Sequence, residues 1–429
     1  MNKKYIFVYG SISGIGGRQL YLQRKAKYLQ RNGWDVYLLT CNANNVVLEY
    51  FEQIKVLNVR ELKYPIYYFD SNVIEKIIYK CLDFIGNINN ELYIESQDIY
   101  EGVWAEHIAE KFLATNMIYI IGEPKLSEYN KFIKEFYTKK IMSNECVGVT
   151  EKTLDNFVQG ILYRYPNNYI NIPFDLSEIQ QENESLNEFF IDIPTNYIKV
   201  FTIGRLEKEY IIKLIETIID IANREKEIPI FLLVIGGSSN FPTLIDEYKN
   251  RYEKNYQNLI IRFTDSQTVL SPSLFNEMDI FVGMGTAAIN AISQKCSTIC
   301  INPLTLKSPG ILGVTTKNFA FADVDKEVEI ETVLLNLIRN KRLRNDAAIS
   351  GYDLFLNEFE NNKVNKYAIE FMKKIRQTDY FIYNGDKGLS NFNLRMIVFK
   401  LLGINRYEFF SSKIKGYRKH IKLFKKKMI

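Results

Sequence analysis

The stretch DIFVGMGTAAINAISQKCSTICIN, Asp279 to Asn302, decides the fold. It reads as an apolar strand, a Gly283-Met284-Gly285-Thr286 turn, a short helix and a second apolar strand. Glycine has no Cβ to block a close approach and takes positive φ, so such a turn lets backbone come near a ligand. The helix then starts at the strand's carboxyl end, with Thr286 where an N-cap belongs. In an open α/β sheet ligands bind at that end, and the free N–H groups of a first helical turn attract phosphate. A strand-to-helix turn with no ligand has the same signature, so the rest of the chain has to decide.

Working outward, both large segments repeat this grammar. Short β-rich apolar runs alternate with helical stretches, the pattern of a parallel sheet covered on both faces. In the first segment Tyr5 to Tyr9 predicts a strand, glycines 10–17 a loop, Gln19 to Asn32 a helix closed by Gly33, and Asp35 to Thr40 a second strand. Leu92 to Glu95, Met117 to Ile121 and Glu145 to Thr150 read as later strands, with a helix from Val103 to Leu113. In the second segment the strand Ile198 to Ile203 runs into Gly204-Arg205-Leu206, followed by a helix from Tyr210 to Arg224 and a strand from Pro229 ending at Gly236-Gly237. Long helices are expected at Glu327 to Arg339, Leu343 to Phe359 and Asn361 to Arg376. The polar, acidic run QQENESLNEFFIDIP, Gln180 to Pro194, has no room for a full element. The expected organisation is a first domain over 1–179, a linker over 180–194, a second domain over 195–360, a closing helix over 361–378 that returns to the first domain, and a basic amphipathic tail over 386–429.

Composition narrows the chemistry. A chain of 429 residues exceeds what one core usually serves, so two domains and a cleft between them are expected. The hydrophobic fraction of 47% with 29 Tyr and 28 Phe argues against disorder. Five scattered cysteines in apolar runs suit reduced, buried thiols. His107 and His420 are the only histidines, which leaves almost no material for a zinc centre or a His-dependent triad, so no metal site is expected. His107 reads as a surface or partly buried residue of a helix. The opening MNKKYIFVYGSISG fits a first core strand better than a signal peptide, no run is long enough to span a bilayer, and the expected location is the cytoplasm.

With its Gly-rich turn at the start of each half, the chain resembles the GT-B glycosyltransferases, and within them the retaining, glycogen-synthase-like group (family 4 type) that includes bacterial surface-polysaccharide enzymes. The resemblance covers about residues 5 to 376. It implies an α/β fold of two Rossmann-like, doubly wound domains facing a cleft, a nucleotide-diphosphate sugar as donor substrate, and no cofactor. SGIGGRQL at Ser13 to Leu20 is similar to the family loop facing donor diphosphate and acceptor, which puts Gly16 and Gly17 at the donor; the same glycines also serve tight helix-strand packing. IGRLEKE at Ile203 to Glu209 resembles the strand end where an Arg and, five residues on, a Lys neutralise donor phosphate. Arg205 matches; the fifth position is Tyr210, so Lys208 or Lys213 takes the place of the Lys, or nothing does. Gly204 and Gly237 lie at the strand ends facing the donor. In the opening segment Gly285 and Thr286 stand as donor-binding groups, and Asn290 stands where the family has the Glu that bonds the ribose; an amide still accepts from a hydroxyl. LYIESQD at Leu92 to Asp98 resembles the strand and loop that often ends in a sugar-contacting His, with Gln97 in that place.

Beyond Arg376 the chain is rich in Tyr, Phe and Lys. Leu394, Ile397, Val398, Leu401 and Leu402 recur at helical spacing, and Lys413, Lys415, Arg418, Lys419, Lys422, Lys425, Lys426 and Lys427 follow with no acidic residue. Such a segment suits an anionic membrane surface. A nucleic-acid partner is not expected, because no RNA- or DNA-binding motif accompanies the tail and the chain's net charge is only +5. The reading at this stage is a glycosyltransferase acting on a glycan or lipid-linked acceptor, peripheral at the inner face of the membrane. A catalytically silent GT-B binding module and a nucleotide-sugar epimerase are the alternatives.

Overall fold

The computed structural model describes residues 3–14, 16–44, 46, 48–87, 91–122, 124–176, 190, 192–237, 243–254, 256–265, 272–319, 326–375, 379–383, 395–409 and 411. The first half contains β1 (Lys3–Ser11), α1 (Gly17–Arg31), β2 (Trp34–Asn42), β3 (Lys55–Asn58), α2 (Ser71–Ile85), β4 (Leu92–Gln97), α3 (Ile99–Phe112), β5 (Thr115–Ile120), α4 (Lys131–Met142), β6 (Cys146–Gly148) and α5 (Glu151–Val158). Its sheet has the order β3-β2-β1-β4-β5-β6 with every pair parallel. The second half contains β7 (Ile198–Ile203), α6 (Glu209–Arg224), β8 (Ile230–Ile235), α7 (Leu244–Tyr252), β9 (Leu259–Thr264), α8 (Pro272–Glu277), β10 (Ile280–Gly283), α9 (Thr286–Ser293), β11 (Ser297–Cys300) and β12 (Gly310–Ile311). Helices α10 (Ile330–Arg339), α11 (Lys341–Glu358) and α12 (Asn361–Lys374) follow. The second sheet runs β12-β11-β10-β7-β8-β9, the same order, and its one antiparallel pair is β11 with β12.

The order follows from the apolar pattern. Strands β4 and β8 are buried at every residue, as strands covered on both faces must be. In each sheet the chain returns past the first strand to lay the fourth on its other side, so β1 and β4, and β7 and β10, flank a point where the strand order reverses. Ligands of doubly wound sheets bind at such points.

Helix α12 lies against α1, where the Tyr5 hydroxyl touches Met372 Sδ at 3.4 Å. Beneath α1, Lys25 is ion-paired with Glu95, which also accepts hydrogen bonds from the Tyr5 and Tyr21 hydroxyls, both at 2.6 Å. One apolar cluster runs from Tyr5 and Phe7 through Met372 and Phe355 to Phe201 and Phe281, so the two halves share a core. Most of the 180–194 run lies outside the described residues; of its end, Phe190 packs on Phe231 and Asp192 pairs with Arg262 at 2.5 Å.

Two expectations need correction. His107 is buried, and its Nε2 accepts the Tyr383 N–H at 3.1 Å, because the segment 379–383 folds back over α3. The tail helix, described over 395–409 and at 411, is docked on the first half through Phe399, which is 3% exposed and packs its ring on Tyr64, Tyr68 and Phe69. Its buried side is therefore set by Phe399, while Leu401, expected in the apolar stripe, is 78% exposed. Leu394 and the basic residues from Lys413 onward lie outside the described residues. Among the described residues no helix is long and apolar enough to cross a membrane.

Candidate active site

The second half contributes two strand ends. After β7 the chain turns at Gly204 and enters α6, with Lys208 as its N-cap. Gly204 and Gly236 are both required as glycine: a β-carbon at Gly236 would collide with the Gly204 carbonyl oxygen, and one at Gly204 with the Tyr210 hydroxyl. Gly237 holds the same turn, its carbonyl accepting the Leu206 N–H at 3.3 Å. Tyr210, in the fifth position, is thus a buried ring packed under the strand end. The cations sit earlier. Arg205 projects outward with its side chain 67% exposed, 3.7 Å from Glu207. Lys208 is half-buried with its Nζ 5.5 Å from the Tyr210 ring centre, and burial, then the Arg205 guanidinium, hold its pKa below the ordinary lysine value. Lys213 is exposed one turn further along α6. Two cations at the positive end of a helix repel each other and the dipole, an arrangement that an anion relieves.

At the end of β10, Gly285 has φ 66° and is the N-cap of α9, donating its N–H to the Phe319 carbonyl at 2.6 Å. Thr286 is accordingly the first helical residue and not the N-cap, because the left-handed turn falls one residue earlier than expected. No side chain caps α9 and no acidic residue lies in its first turn, so its leading N–H groups point outward unshared by any side chain. One turn on, Asn290 Oδ1 is shielded from solvent and has no hydrogen-bond partner. A buried acceptor left unpaired costs roughly 1–3 kcal/mol, which makes Asn290 a candidate ligand contact.

The first half brings α1 to the same place. Gly16 is the N-cap of α1, again without a side-chain cap or an acidic first turn. Arg18 reaches from that turn to Asp98 Oδ1 at 2.5 Å and to the Ile121 carbonyl at 2.8 Å. Asp98, just past β4, has φ 73°, a conformation that strains a residue with a Cβ and that clusters at functional sites. Gln97 ends β4, is 1% exposed, and neither of its amide atoms has a hydrogen-bond partner. Strand alternation puts it on the face of Glu95, which α1 covers.

Sequence reading singled out Gly16, Gly17 and Gln97 near the ends of β1 and β4, but not Tyr9, Arg60, Glu101 or Tyr407 around the same switch point. A cavity of about 1120 Å³ opens there, lined among others by Tyr9, Arg18, Asp98, Glu101, Arg60 and Tyr407, the last from the tail helix. A second cavity of about 400 Å³ shares Arg18, Lys63, Asp98, Tyr100 and Glu101 with it. Glu101 is 6% exposed; burial, then the neighbouring Asp98 carboxylate, push its pKa up to about 8. The D-x-x-E spacing of Asp98 and Glu101 at a helix start was the available signal. Among the described residues no group of three His, Cys, Asp or Glu side chains is disposed to hold a metal ion.

No protein-family model and no curated protein matches the sequence. Solved structures do match. A glycosyltransferase from Rickettsia africae ESF-5 superposes with a TM-score of 0.65 at 14% identity, over 88% of this chain and 100% of that one. Anabaena Alr3699/HepE, in complex with UDP, gives 0.62 at 13% identity over 86% and 99%. Sucrose-phosphate synthase from Thermosynechococcus elongatus gives 0.58 at 12% identity over 87% and 98%. Two parallel-dominated sheets in one strand order, joined through a shared core and matched by such structures over 86–88% of the chain, give this chain the GT-B fold.

Proposed function

We propose that this chain is a glycosyltransferase that moves a hexosyl unit from a nucleotide-diphosphate sugar to a surface glycan or lipid-linked acceptor, with retention at the anomeric carbon and without a metal ion. The observation that carries the reading is the Arg205 and Lys208 pair at the start of α6, beside a second uncapped helix start at α9. When the bond between the anomeric carbon and the diphosphate oxygen breaks, negative charge develops on that oxygen. Arg205, Lys208 and the α9 N–H groups meet it with fixed positive charge, the part a divalent cation plays elsewhere. Asn290 accepts from the ribose or a neighbouring hydroxyl. The acceptor enters from the cavity at the β1 and β4 ends, with Gln97 close by. The cation-rich tail holds a cytoplasmic protein at the inner membrane face, each Lys or Arg near an anionic surface adding about 1 kcal/mol.

Tyr210 in place of the expected Lys favours one other reading, a GT-B module that binds donor or glycan without turnover. Incubation with UDP-glucose, the ligand of one Anabaena HepE complex, separates the two. Release of UDP that falls on the order of 100-fold or more in Arg205→Ala supports the transferase, since a preorganised cation contributes several kcal/mol. Binding without turnover supports the silent module, and a free epimerised nucleotide sugar as product overturns transfer. Lys208→Ala lowers turnover only if Lys208 has taken over the missing position.

A further inference from the structure

The tail helix places a carboxylate in a ready-made anion site at the mouth of the first-half cavity. Glu408 Oε2 accepts from Arg60 Nη2 at 2.5 Å, and Oε1 accepts from the Tyr64 hydroxyl at 2.7 Å and from Lys63 Nζ at 3.3 Å. Arg60 Nη1 also donates to Asn405 Oδ1 at 2.9 Å. The three donors belong to the short turn after β3, and the tail helix packs on that turn, with the Tyr64 ring against Phe399 and Tyr407. The turn is anchored from inside, where the Tyr64 carbonyl accepts the N–H of the fully buried Trp104 at 2.9 Å. Arg60, Lys63, Tyr64 and Glu408 all line the cavity that reaches Arg18 and Asp98 at the strand ends.

We infer that Arg60, Lys63 and Tyr64 form a binding site for a phosphate group on the acceptor, and that Glu408 is an internal stand-in that leaves when the acceptor arrives. Charge and donor count favour phosphate over a second carboxylate. Two cations face one carboxylate, a net charge of +1, and a dianion in the carboxylate's place brings the site to neutrality. Two carboxylate oxygens serve three donor groups, whereas a phosphate monoester offers each its own oxygen, and an arginine fork fits phosphate in two-point contact. The hold of Glu408 is exchangeable because Arg60 and Lys63 are each about half exposed, where an ion pair contributes little. The inference rests on the reading of the first half as the acceptor side. It names that acceptor's chemistry: a phosphorylated sugar or lipid with its phosphate at the cavity mouth and its reacting hydroxyl further in.

The test measures phosphate binding without any turnover. Calorimetry with inorganic phosphate and glucose 1-phosphate, and sedimentation with phosphatidylcholine vesicles containing or lacking phosphatidic acid, compare the full chain with Glu408→Gln. Removing the competing charge while keeping the side chain's shape raises affinity about tenfold if Glu408 holds the site nine-tenths of the time. The same gain must vanish when Arg60→Ala or Lys63→Ala is added. A gain with the soluble phosphates supports a free or sugar-borne phosphate, and one confined to phosphatidic acid vesicles supports a lipid-borne phosphate. No gain with any probe, or a gain that survives both Arg60→Ala and Lys63→Ala, overturns the inference. A chain that binds phosphate in this way yet releases no UDP from UDP-glucose would sink only the transferase reading.

Discussion

A β-carbon placed on Gly17 would lie 3.2 Å from Cγ2 and 3.4 Å from Oγ1 of Thr286, so the first turn of α1 meets the first turn of α9 through the Thr286 side chain, with Gly17 adding none of its own. Each helix start comes from a different half, and neither is capped by a side chain. The contact sets the spacing of the cleft. Gly17→Ala requires Thr286 to yield by a few tenths of an ångström, and Gly17→Val forces the two helix starts apart. We expect Gly17→Val to weaken UDP binding about tenfold while the melting temperature stays within a few degrees, because Gly17 is not in the apolar core. Calorimetry and thermal melting together check this; unchanged affinity means that the cleft closes on the donor in some other way.

Asn290→Ala gives opposite signs in two measurements. It removes a buried acceptor that has no partner, so the free protein should melt at the same temperature or slightly higher. Donor affinity should fall by about 1 kcal/mol, the scale of one neutral hydrogen bond. A drop in stability with no loss of affinity would make Asn290 a structural residue.

Lys25 and Glu95 are both buried under α1, and Tyr5 and Tyr21 complete the cluster. Lys25→Met leaves the Glu95 carboxylate buried with only neutral donors, and breaking such a pair costs about 3–5 kcal/mol. Replacing both, as Lys25→Met with Glu95→Leu, should recover most of that loss. Chemical denaturation of the single and double variants measures the coupling directly.

The pH dependence of stability has two opposed contributions. Burial, then Asp98, raise the Glu101 pKa from 4.5 to about 8, so between those values the folded state holds a proton that the unfolded state releases. Stability therefore falls as pH rises through that window and levels off above it. Burial, then Lys111, lower the His107 pKa from 6.5 to about 4, so its contribution is present above 6.5 and is lost as pH falls toward 4. Of these two groups, Glu101 carries most of the difference between the two states toward the upper end of the pH 6.5 to 8 range, where His107 is neutral in both. Melting curves across that range should slope downward in the parent protein and flatten in Glu101→Gln. An equal slope in both would show that Glu101 is ionised in the folded protein at neutral pH.

Much of the framework was legible in the sequence because the information is local. IKVFTI, IFLLVI and DIFVG are apolar runs that only a covered parallel strand tolerates, and each ends in glycine where the chain must turn. Helix α2 carries the same kind of local signal, since Ile74, Ile77, Ile78, Cys81 and Ile85 recur at helical spacing. The run of Arg205 and Lys208 after β7 is likewise local, whereas the start of α9 was expected at a Thr286 N-cap and falls at Gly285, with no side-chain cap.

What only the tertiary structure decided is whatever depends on residues far apart in the chain. Tyr210 is legible in the sequence, but that its ring is buried with its hydroxyl under Gly204, where a β-carbon would meet it, is a matter of the fold. Phe399 turned the tail helix by packing on Tyr64, Tyr68 and Phe69, more than 300 residues earlier, and so put Leu401 in solvent and Glu408 between Arg60 and Lys63. Helical periodicity says which residues share a face. Which face is buried is settled by the surface it meets, and that surface exists only once both sheets are folded.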